Sequence, residues 1–233
     1  MIWALVPAAG SGRRFGGGVP KQYLHAAGKP LLEHALNALL SHPRVAGAVV
    51  ALAPDDAHWP GWTTLHGKPV LACVGGVERV DSVLAALRAM PVEVAVDALV
   101  LVHDAARPNL HADDITRLLD VAMAYADGAI LAAPLRDTLK RAAGEGPDHA
   151  PRIAGTEPRD GLWRALTPQA FRRDVLRNAL ESAQAEGVPV TDEAMALERL
   201  GLHPRLVEGR EDNLKVTTPA DLALAQFLLA HAT

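Results

Sequence analysis

Glycines, small residues and cations crowd into a short stretch near the N-terminus, the segment PAAGSGRR from Pro7 to Arg14. Glycine lets backbone N–H groups approach a phosphate closely, and the neighbouring alanines leave room for a flat base. Arg14, and further on Lys21, add mobile positive charge of the kind that neutralises a triphosphate during substitution at phosphorus. The stretch therefore predicts a site for a phosphate-rich ligand.

Two common phosphate-binding motifs do not fit this loop. Gly10 and Gly12 begin like a dinucleotide fingerprint, but the next glycine of that pattern is replaced by Phe15. A Walker A loop would need Gly-Lys-Ser/Thr after four spacer residues, and this sequence is absent. A nucleotide-dependent dehydrogenase is therefore disfavoured. A non-catalytic nucleotide-binding module and an exposed turn with solvated arginines stay open as alternatives, although the pairing of Arg14 with Lys21 weighs against the module.

Asp104 is the second residue whose position indicates chemistry. It follows the apolar run Ala98–Val102, which predicts a strand, and ligands of open α/β sheets bind at the carboxyl ends of strands. A carboxylate there suits a ribose hydroxyl or a hydrated Mg²⁺. A purely structural role, in which Asp104 caps the following turn, is the alternative.

The elements that must position these residues alternate between strands and helices. Short apolar runs predict buried strands, and apolar stripes at helical spacing predict the helices between them. The fold class predicted is α/β, a Rossmann-like, mostly parallel sheet with helices on both faces. The strands are predicted at Ile2–Val6, Gly47–Ala53, Val70–Val74, Ala98–Val102, Ala129–Ala133 and Leu206–Glu208, and the helices from Pro30 to Leu40 and at Val80–Met90, Ile115–Tyr125, Ala170–Ala185, Asp192–Leu200 and from Thr218 onward.

One stretch, residues 136–160, interrupts the alternation. It is polar, contains the turn-forming run GEGP and carries no strong apolar stripe. A structureless loop of this length is unusual inside a compact domain, so we interpret it as a protruding β-arm of a single nucleotidyltransferase domain spanning residues 1–233. An arm with little core of its own often packs on a partner subunit, which predicts a homodimer. A mobile surface loop is the alternative.

The composition of the chain limits the kinds of partner and the cellular compartment that we expect for the protein. The chain has 233 residues with a net charge of -4, which argues against broad binding of nucleic acid. Its single cysteine, Cys73, excludes an internal disulfide and fits a reducing compartment. No apolar run is long enough to predict a membrane span. We therefore expect a cytoplasmic protein that acts on small molecules, without nucleic-acid or membrane partners.

Read over its whole length, the sequence resembles the 2-C-methyl-D-erythritol 4-phosphate cytidylyltransferase family. The matching motifs occur in order along nearly the entire chain, which makes coincidence an unsatisfactory explanation. They are PAAGSGRR followed by PKQY at Pro20, the pair Gly75-Gly76 with Arg79 and Ser82, HDAARP at His103, RDT at Arg136, LW at Leu162, LTPQ at Leu166, TDEA at Thr191, EGR at Glu208 and NLKVT at Asn213.

The resemblance implies a reaction and a role for each matching residue. CTP and methylerythritol phosphate would give a CDP-alcohol and pyrophosphate for isoprenoid precursor synthesis by the non-mevalonate pathway, with in-line attack on the α-phosphorus. Arg14 and Lys21 would stabilise the transition state, while Arg159 and Lys215 would position the acceptor phosphate. The nucleotide would contact Pro7, Ala8, Ala9, Gly10, Gly12, Gly76, Ser82, Asp104 and Ala105, and the acceptor would contact Arg107, Thr138, Thr167 and Thr191.

The resemblance also implies Mg²⁺ as cofactor, held mainly by the CTP phosphates, with Asp104 as a candidate ligand. Thr138 and Arg159 lie at the two ends of the proposed arm, so an arm that crosses to a partner would bring site residues from the neighbouring chain. A cytidylyltransferase for another polyol phosphate, such as ribitol 5-phosphate, is the alternative function. It would share the nucleotide loop and differ in the residues that face the acceptor.

Overall fold

A large central sheet organises the protein. The computed structural model describes residues 1–10, 18–145 and 150–231. Its eight-stranded sheet has the order β12-β8-β11-β7-β1-β4-β6-β5. The strands are β1 (Ile2–Ala8), β2 (His25–Ala26), β3 (Lys29–Pro30), β4 (Val45–Leu52), β5 (Thr64–Leu65), β6 (Lys68–Val74), β7 (Leu99–Val102), β8 (Ala129–Pro134), β9 (Leu139–Glu145), β10 (Pro151–Glu157), β11 (Trp163–Arg172) and β12 (Arg205–Glu208).

The middle of the sheet is parallel, as predicted. β1 pairs in parallel with β4 on one side and with β7 on the other, and β4 continues in parallel to β6. The chain therefore leaves β1 towards β4 and β6 and later returns to the other side of β1 to form β7. Such a reversal of strand order opens a crevice at the carboxyl ends of the strands, where ligands of open α/β sheets bind.

Helices cover both faces of the sheet and enclose two core clusters. On one face α1 and α3 pack their apolar stripes against β1, β4 and β8; on the other face α2, α4 and α5 do the same. The helices are α1 (Leu31–Ser41), α2 (Arg79–Ala89), α3 (Ala112–Ala124), α4 (Arg173–Ala185), α5 (Glu193–Arg199) and α6 (Pro219–Ala230). Thr218 caps α6 in a capping box with Asp221, as the sequence predicts. No described helix combines the length and the apolar character needed to cross a membrane.

The prediction of a helix beginning at Ala170 is wrong. The segment Trp163–Arg172 forms β11, which runs antiparallel between β7 and β8, and Phe171 pairs with Val100 across the sheet. Helix α4 begins only at Arg173, whose N–H donates to the carbonyl of Ala98. Pro168 and a register shift between Ala165 and Gln169 hide the alternation that would otherwise indicate a strand.

A second sheet stands apart from the first. Among the described residues, β9 and β10 pair only with each other. They are antiparallel, with Leu139 opposite Glu157 at one end and Glu145 opposite Pro151 at the other. Most side chains of β10 are exposed, including Ile153 at 70%. The dimerisation arm predicted for residues 136–160 includes these two strands, and its function stays a prediction.

Candidate active site

A cleft lies where the strand order reverses, at the carboxyl ends of β1, β6 and β7. Asp104 follows β7, and Gly76 follows β6, while Ala9 and Gly10 at the end of β1 line the third side. The structure therefore brings together most of the predicted nucleotide site with two of the predicted cations. The predicted residues that line this cleft are Pro7, Ala8, Ala9, Gly10, Lys21, Gly76, Ser82, Asp104, Ala105 and Lys215.

Gln22, for which the sequence predicted no role, holds the backbone at the end of β1. It is 3% exposed, and its Nε2 donates to the carbonyl oxygens of Ala8 at 2.7 Å and of Gly10 at 3.2 Å. Because the buried carbonyl of Ala8 needs a partner, this amide fixes the backbone of residues 8–10 at the edge of the cleft. The only signal for it was its place beside Lys21 in the PKQY motif.

The turn between β6 and α2 depends on a glycine and a buried hydroxyl. The N–H of Gly76 donates to Ser82 Oγ at 3.2 Å, and Ser82 is 3% exposed, so its hydroxyl is not a helix-surface group. A Cβ on Gly76 would stand 2.2 Å from the Cβ of Asp81, which is closer than any two carbons can pack. The glycine is therefore required for the turn to press against the first turn of α2.

Three cations surround the carboxylate of Asp104. Arg79 Nε lies 3.2 Å from Oδ1, while Arg107 Nε at 3.2 Å and Lys215 Nζ at 3.0 Å approach Oδ2. Burial by itself would raise the pKa of Asp104, but the positive charges of Arg79, Lys215 and Arg107 outweigh it and hold that pKa far below its ordinary value. Asp104 is thus an ionised, buried carboxylate whose orientation is set by its neighbours.

A chain of hydrogen bonds fixes the backbone below Asp104. The Thr167 hydroxyl accepts from the N–H of Asp104 at 3.1 Å and contacts His103 Nδ1 at 3.0 Å, while His103 Nε2 lies 3.0 Å from the carbonyl oxygen of Arg107. Because a carbonyl can only accept, we assign the His103 proton to Nε2, so that Thr167 donates to Nδ1. Burial lowers the pKa of His103 to about 4, which keeps the ring neutral.

Arg107 also supports Asp104 from below. It is buried, and its Nη1 donates to the carbonyl oxygen of Asn213 at 2.8 Å in addition to its contact with Asp104. Neither Arg107 nor Thr167 is among the residues that line the cleft. The predicted contacts of these two residues with the acceptor therefore stay predictions, beside the supporting role that the structure gives them.

A buried ion pair joins the cleft to α5. Arg79 contacts Asp104 through Nε and Glu193 through Nη1, and Glu193 is completely buried. Burial raises the pKa of Glu193, although the charge of Arg79 acts in the opposite direction. Glu193 follows Asp192, which caps α5 by accepting from the N–H of Met195. No role for either member of this pair was predicted from the sequence, because only the fold brings them together.

The remaining predicted residues lie elsewhere. Thr138 and Arg159 are exposed beside β9 and β10. The guanidinium of Arg159 donates a hydrogen bond to the carbonyl oxygen of Arg136. Thr191 is exposed just before α5. None of these three lines the cleft among the described residues. Arg14 and Gly12 lie outside the described residues, so the structure places neither of them.

A sheet covered on both faces, with a cleft at the carboxyl ends of its parallel strands that is lined by Lys21, Asp104 and Lys215, is the architecture of a nucleotidyltransferase. The family model for 2-C-methyl-D-erythritol 4-phosphate cytidylyltransferase matches residues 2–231, and the chain belongs to this family.

Curated relatives and solved structures agree with this assignment. The chain is 65% identical over 230 residues to the 2-C-methyl-D-erythritol 4-phosphate cytidylyltransferase of Xanthomonas campestris pv. campestris (strain 8004), covering 99% of this chain and 85% of the relative. It is 62% identical over 230 residues to the enzyme of the same name from Stenotrophomonas maltophilia, covering 99% of this chain and 97% of the relative. The crystal structure of the Francisella tularensis enzyme superposes with a TM-score of 0.80 at 32% identity, over 97% of this chain and 98% of that chain.

Proposed function

We propose that this protein transfers the cytidylyl group of CTP to 2-C-methyl-D-erythritol 4-phosphate, giving the CDP-alcohol and pyrophosphate for the non-mevalonate route to isoprenoid precursors. The observation that carries the proposal is the meeting of Lys21, Lys215 and Asp104 in one cleft at the carboxyl ends of the parallel strands. The family assignment favours this acceptor over ribitol 5-phosphate. The lone Cys73 supports a reducing compartment, so the cytoplasm stays our predicted location.

The reaction is a single in-line displacement. An oxygen of the acceptor phosphate forms a bond to the α-phosphorus of CTP, and the bond from that phosphorus to the bridging oxygen of the β-phosphate breaks, so pyrophosphate leaves. The attacking phosphate is already anionic, so no general base is needed. Catalysis then consists of positioning the two phosphates and neutralising the charge that develops between them. Lys21, with Arg14, supplies that charge at the α-phosphate in our proposal, and Lys215, with Arg159, positions the acceptor.

Nucleotide recognition is assigned to the backbone of the cleft. The rigid segments from Pro7 to Gly10 and around Gly76 present N–H and carbonyl groups that can distinguish cytosine from uracil, whose edge pattern is reversed. Asp104, with Ala105 beside it, faces the place where the ribose would lie. The rigidity given by Gln22 and Ser82 supports this assignment, because pre-formed donors do not have to be ordered on binding.

Mg²⁺ fits this cleft as an ion carried by the nucleotide. Asp104 is the buried carboxylate of the lining, and three cations already compensate its charge. No cluster of three His, Cys, Asp or Glu side chains suited to a metal occurs in the described part of the chain. The triphosphate oxygens would therefore be the main ligands, with Asp104 touching the hydrated ion. When bound, Mg²⁺ supplies further neutralisation of phosphate charge.

The acceptor half of the site is proposed to include residues from a second subunit. Thr138 and Arg159 are exposed and lie beside the separate β9–β10 sheet, away from the lining of their own cleft. A two-stranded sheet is marginally stable alone, and the exposed Ile153 gives it an apolar surface to bury. In a homodimer formed through this arm, Arg159 would face the cleft of the partner subunit.

Mixing two inactive variants tests this exchange of arms. Lys21→Ala and Arg159→Ala should each be nearly inactive as homodimers. After joint refolding, about half of the dimers are mixed, and each mixed dimer has one site in which both residues are intact. We expect about a quarter of the wild-type activity in a pyrophosphate-release assay. No recovery, in a sample shown by tagged purification to contain mixed dimers, would place Arg159 in the site of its own chain.

Acceptor specificity is the direct test of the proposed function. With CTP and Mg²⁺, methylerythritol phosphate should support pyrophosphate release at a kcat/KM at least about a hundredfold above that with ribitol 5-phosphate, because an acceptor that leaves buried polar groups unpaired is strongly rejected. UTP in place of CTP serves as the nucleotide control. Release with ribitol 5-phosphate alone would contradict the proposal.

A further inference from the structure

A loop that the proposed reaction does not use lies beside the turn that carries Lys21. Residues 53–63 connect β4 to β5 and contain two tryptophans. Trp59 and Trp62 meet edge to face with ring centroids 5.1 Å apart, and both pack against the core cluster that includes the apolar side of α1. The two rings therefore anchor this loop to the core.

Asp56 of this loop is oriented within the loop itself. Its Oδ1 accepts from the N–H of His58 at 3.0 Å, which leaves Oδ2 directed to another partner. That partner is the hydroxyl of Tyr23, which donates to Oδ2 at 2.8 Å. Tyr23 is only 6% exposed, and its ring centroid lies 5.4 Å from that of His58. A carboxylate held by a local turn is a pre-oriented acceptor, so the position of Tyr23 is defined by the loop.

The turn Lys21–Tyr23 is consequently held from two sides. Gln22 donates to the carbonyls of Ala8 and Gly10 in the nucleotide loop, and Tyr23 donates to Asp56 in the tryptophan-anchored loop. Lys21 precedes both and lines the cleft. A lysine side chain is a flexible stem with a point charge, so its place at the α-phosphate depends on where its backbone is held. A displacement of about 1 Å can cost a reaction up to about a hundredfold in rate.

We propose that Asp56 is a positioning residue for the transfer reaction, acting through the Tyr23 hydroxyl to set the turn that presents Lys21 to the α-phosphate. The inference rests on the role proposed above for Lys21. Because that lysine acts on charge that develops in the transition state, loosening its turn lowers kcat more than it weakens binding of CTP. The loop of residues 53–63 thereby supports catalysis although its side chains lie outside the cleft lining.

A double-mutant cycle on the full-length protein tests the inference. Asp56→Ala and Tyr23→Phe are each expected to lower kcat about tenfold, with the KM for CTP changed by less than about twofold. The double variant should lose no more than either single variant, because both changes break the same hydrogen bond. Asp56→Asn keeps an oxygen that accepts from the His58 N–H and presents an NH2 group that can donate to the Tyr23 hydroxyl oxygen, so it keeps the link between the two residues and should stay within about twofold of wild type.

The controls separate positioning from general destabilisation. Tyr125→Phe changes the other tyrosine, which is 45% exposed, and Asp55→Asn removes the neighbouring carboxylate of the same loop. Both should keep wild-type kcat. Unchanged kcat in Asp56→Ala and Tyr23→Phe, with only a lowered midpoint of thermal unfolding, would overturn the inference, as would losses that multiply in the double variant. Turnover by the unaltered protein checks the proposed function separately, and its absence would overturn both.

Discussion

Lys21→Ala should lower kcat for pyrophosphate release by about a thousandfold while the chain stays folded. Lys21 lines the cleft on a turn held by Gln22 and Tyr23, so its charge is presented from a fixed backbone. Pre-positioned charge in a cleft is worth far more in the transition state than a solvated cation, since no reorganisation is needed when the phosphorus becomes pentavalent. Single-turnover kinetics with saturating CTP would measure the loss in the chemical step.

Comparison with a surface lysine shows whether the effect is specific to this position. Lys29 is exposed and pairs with Glu33, four residues further along the chain, in an interaction that contributes little to stability. Lys29→Ala should therefore keep full activity. Lys21→Arg should recover only part of the rate, because the planar guanidinium presents its charge differently from an ammonium. If Lys21→Ala retained wild-type kcat, the role assigned to this lysine would be wrong.

The fold was predictable where local sequence determines burial. β1, β4 and β7 lie inside the sheet with helices on both faces, so their sequences are unbroken apolar runs that indicate buried parallel strands. β11 gives no such signal. Its identity depends on pairing with β7 and β8, which are distant in sequence, and Pro168 interrupts the pattern within it. A strand whose partners lie far along the chain is fixed by tertiary contacts that a local pattern does not contain.

The site shows the same division between local and distant information. The loop from Pro7 and the carboxylate at the end of β7 were predictable because an apolar run marks the end of a strand and a glycine-rich stretch marks a loop within a few residues of sequence. The Arg79–Glu193 pair joins residues 114 positions apart, and no pattern in either segment predicts that the two side chains meet. Arg107 shows a further limit, since an arginine three residues after Asp104 can face a phosphate or its own aspartate, and the structure shows the second contact.

Asp104→Asn should both inactivate and destabilise the protein. We expect kcat/KM for CTP to fall about a hundredfold, because the change removes the carboxylate that we propose to face the ribose and releases Lys215 from its present position. We expect the free energy of unfolding at pH 7 to fall by about 3 kcal/mol, because loss of one partner leaves Arg79 and Arg107 clustered with their charges less compensated. Urea unfolding followed by circular dichroism measures the second effect independently of the first.

The pH dependence of this destabilisation identifies its cause. The pKa of Asp104 is lowered in the folded protein, so at acid pH the unfolded chain binds the proton more readily than the folded chain. The stability that the ionised carboxylate contributes is thus complete above about pH 5. It begins to be lost near the unfolded pKa of about 3.9 and continues to be lost as the pH falls towards the lower pKa of the folded protein. The difference in unfolding free energy between wild type and Asp104→Asn should therefore narrow between pH 5 and pH 3.5. Asp120→Asn, which removes an exposed partner of Arg44, should differ little from wild type at any of these values. If the difference in unfolding free energy between wild type and Asp104→Asn stayed constant down to pH 3.5, Asp104 would stabilise the fold through its shape and hydrogen bonds rather than through its charge.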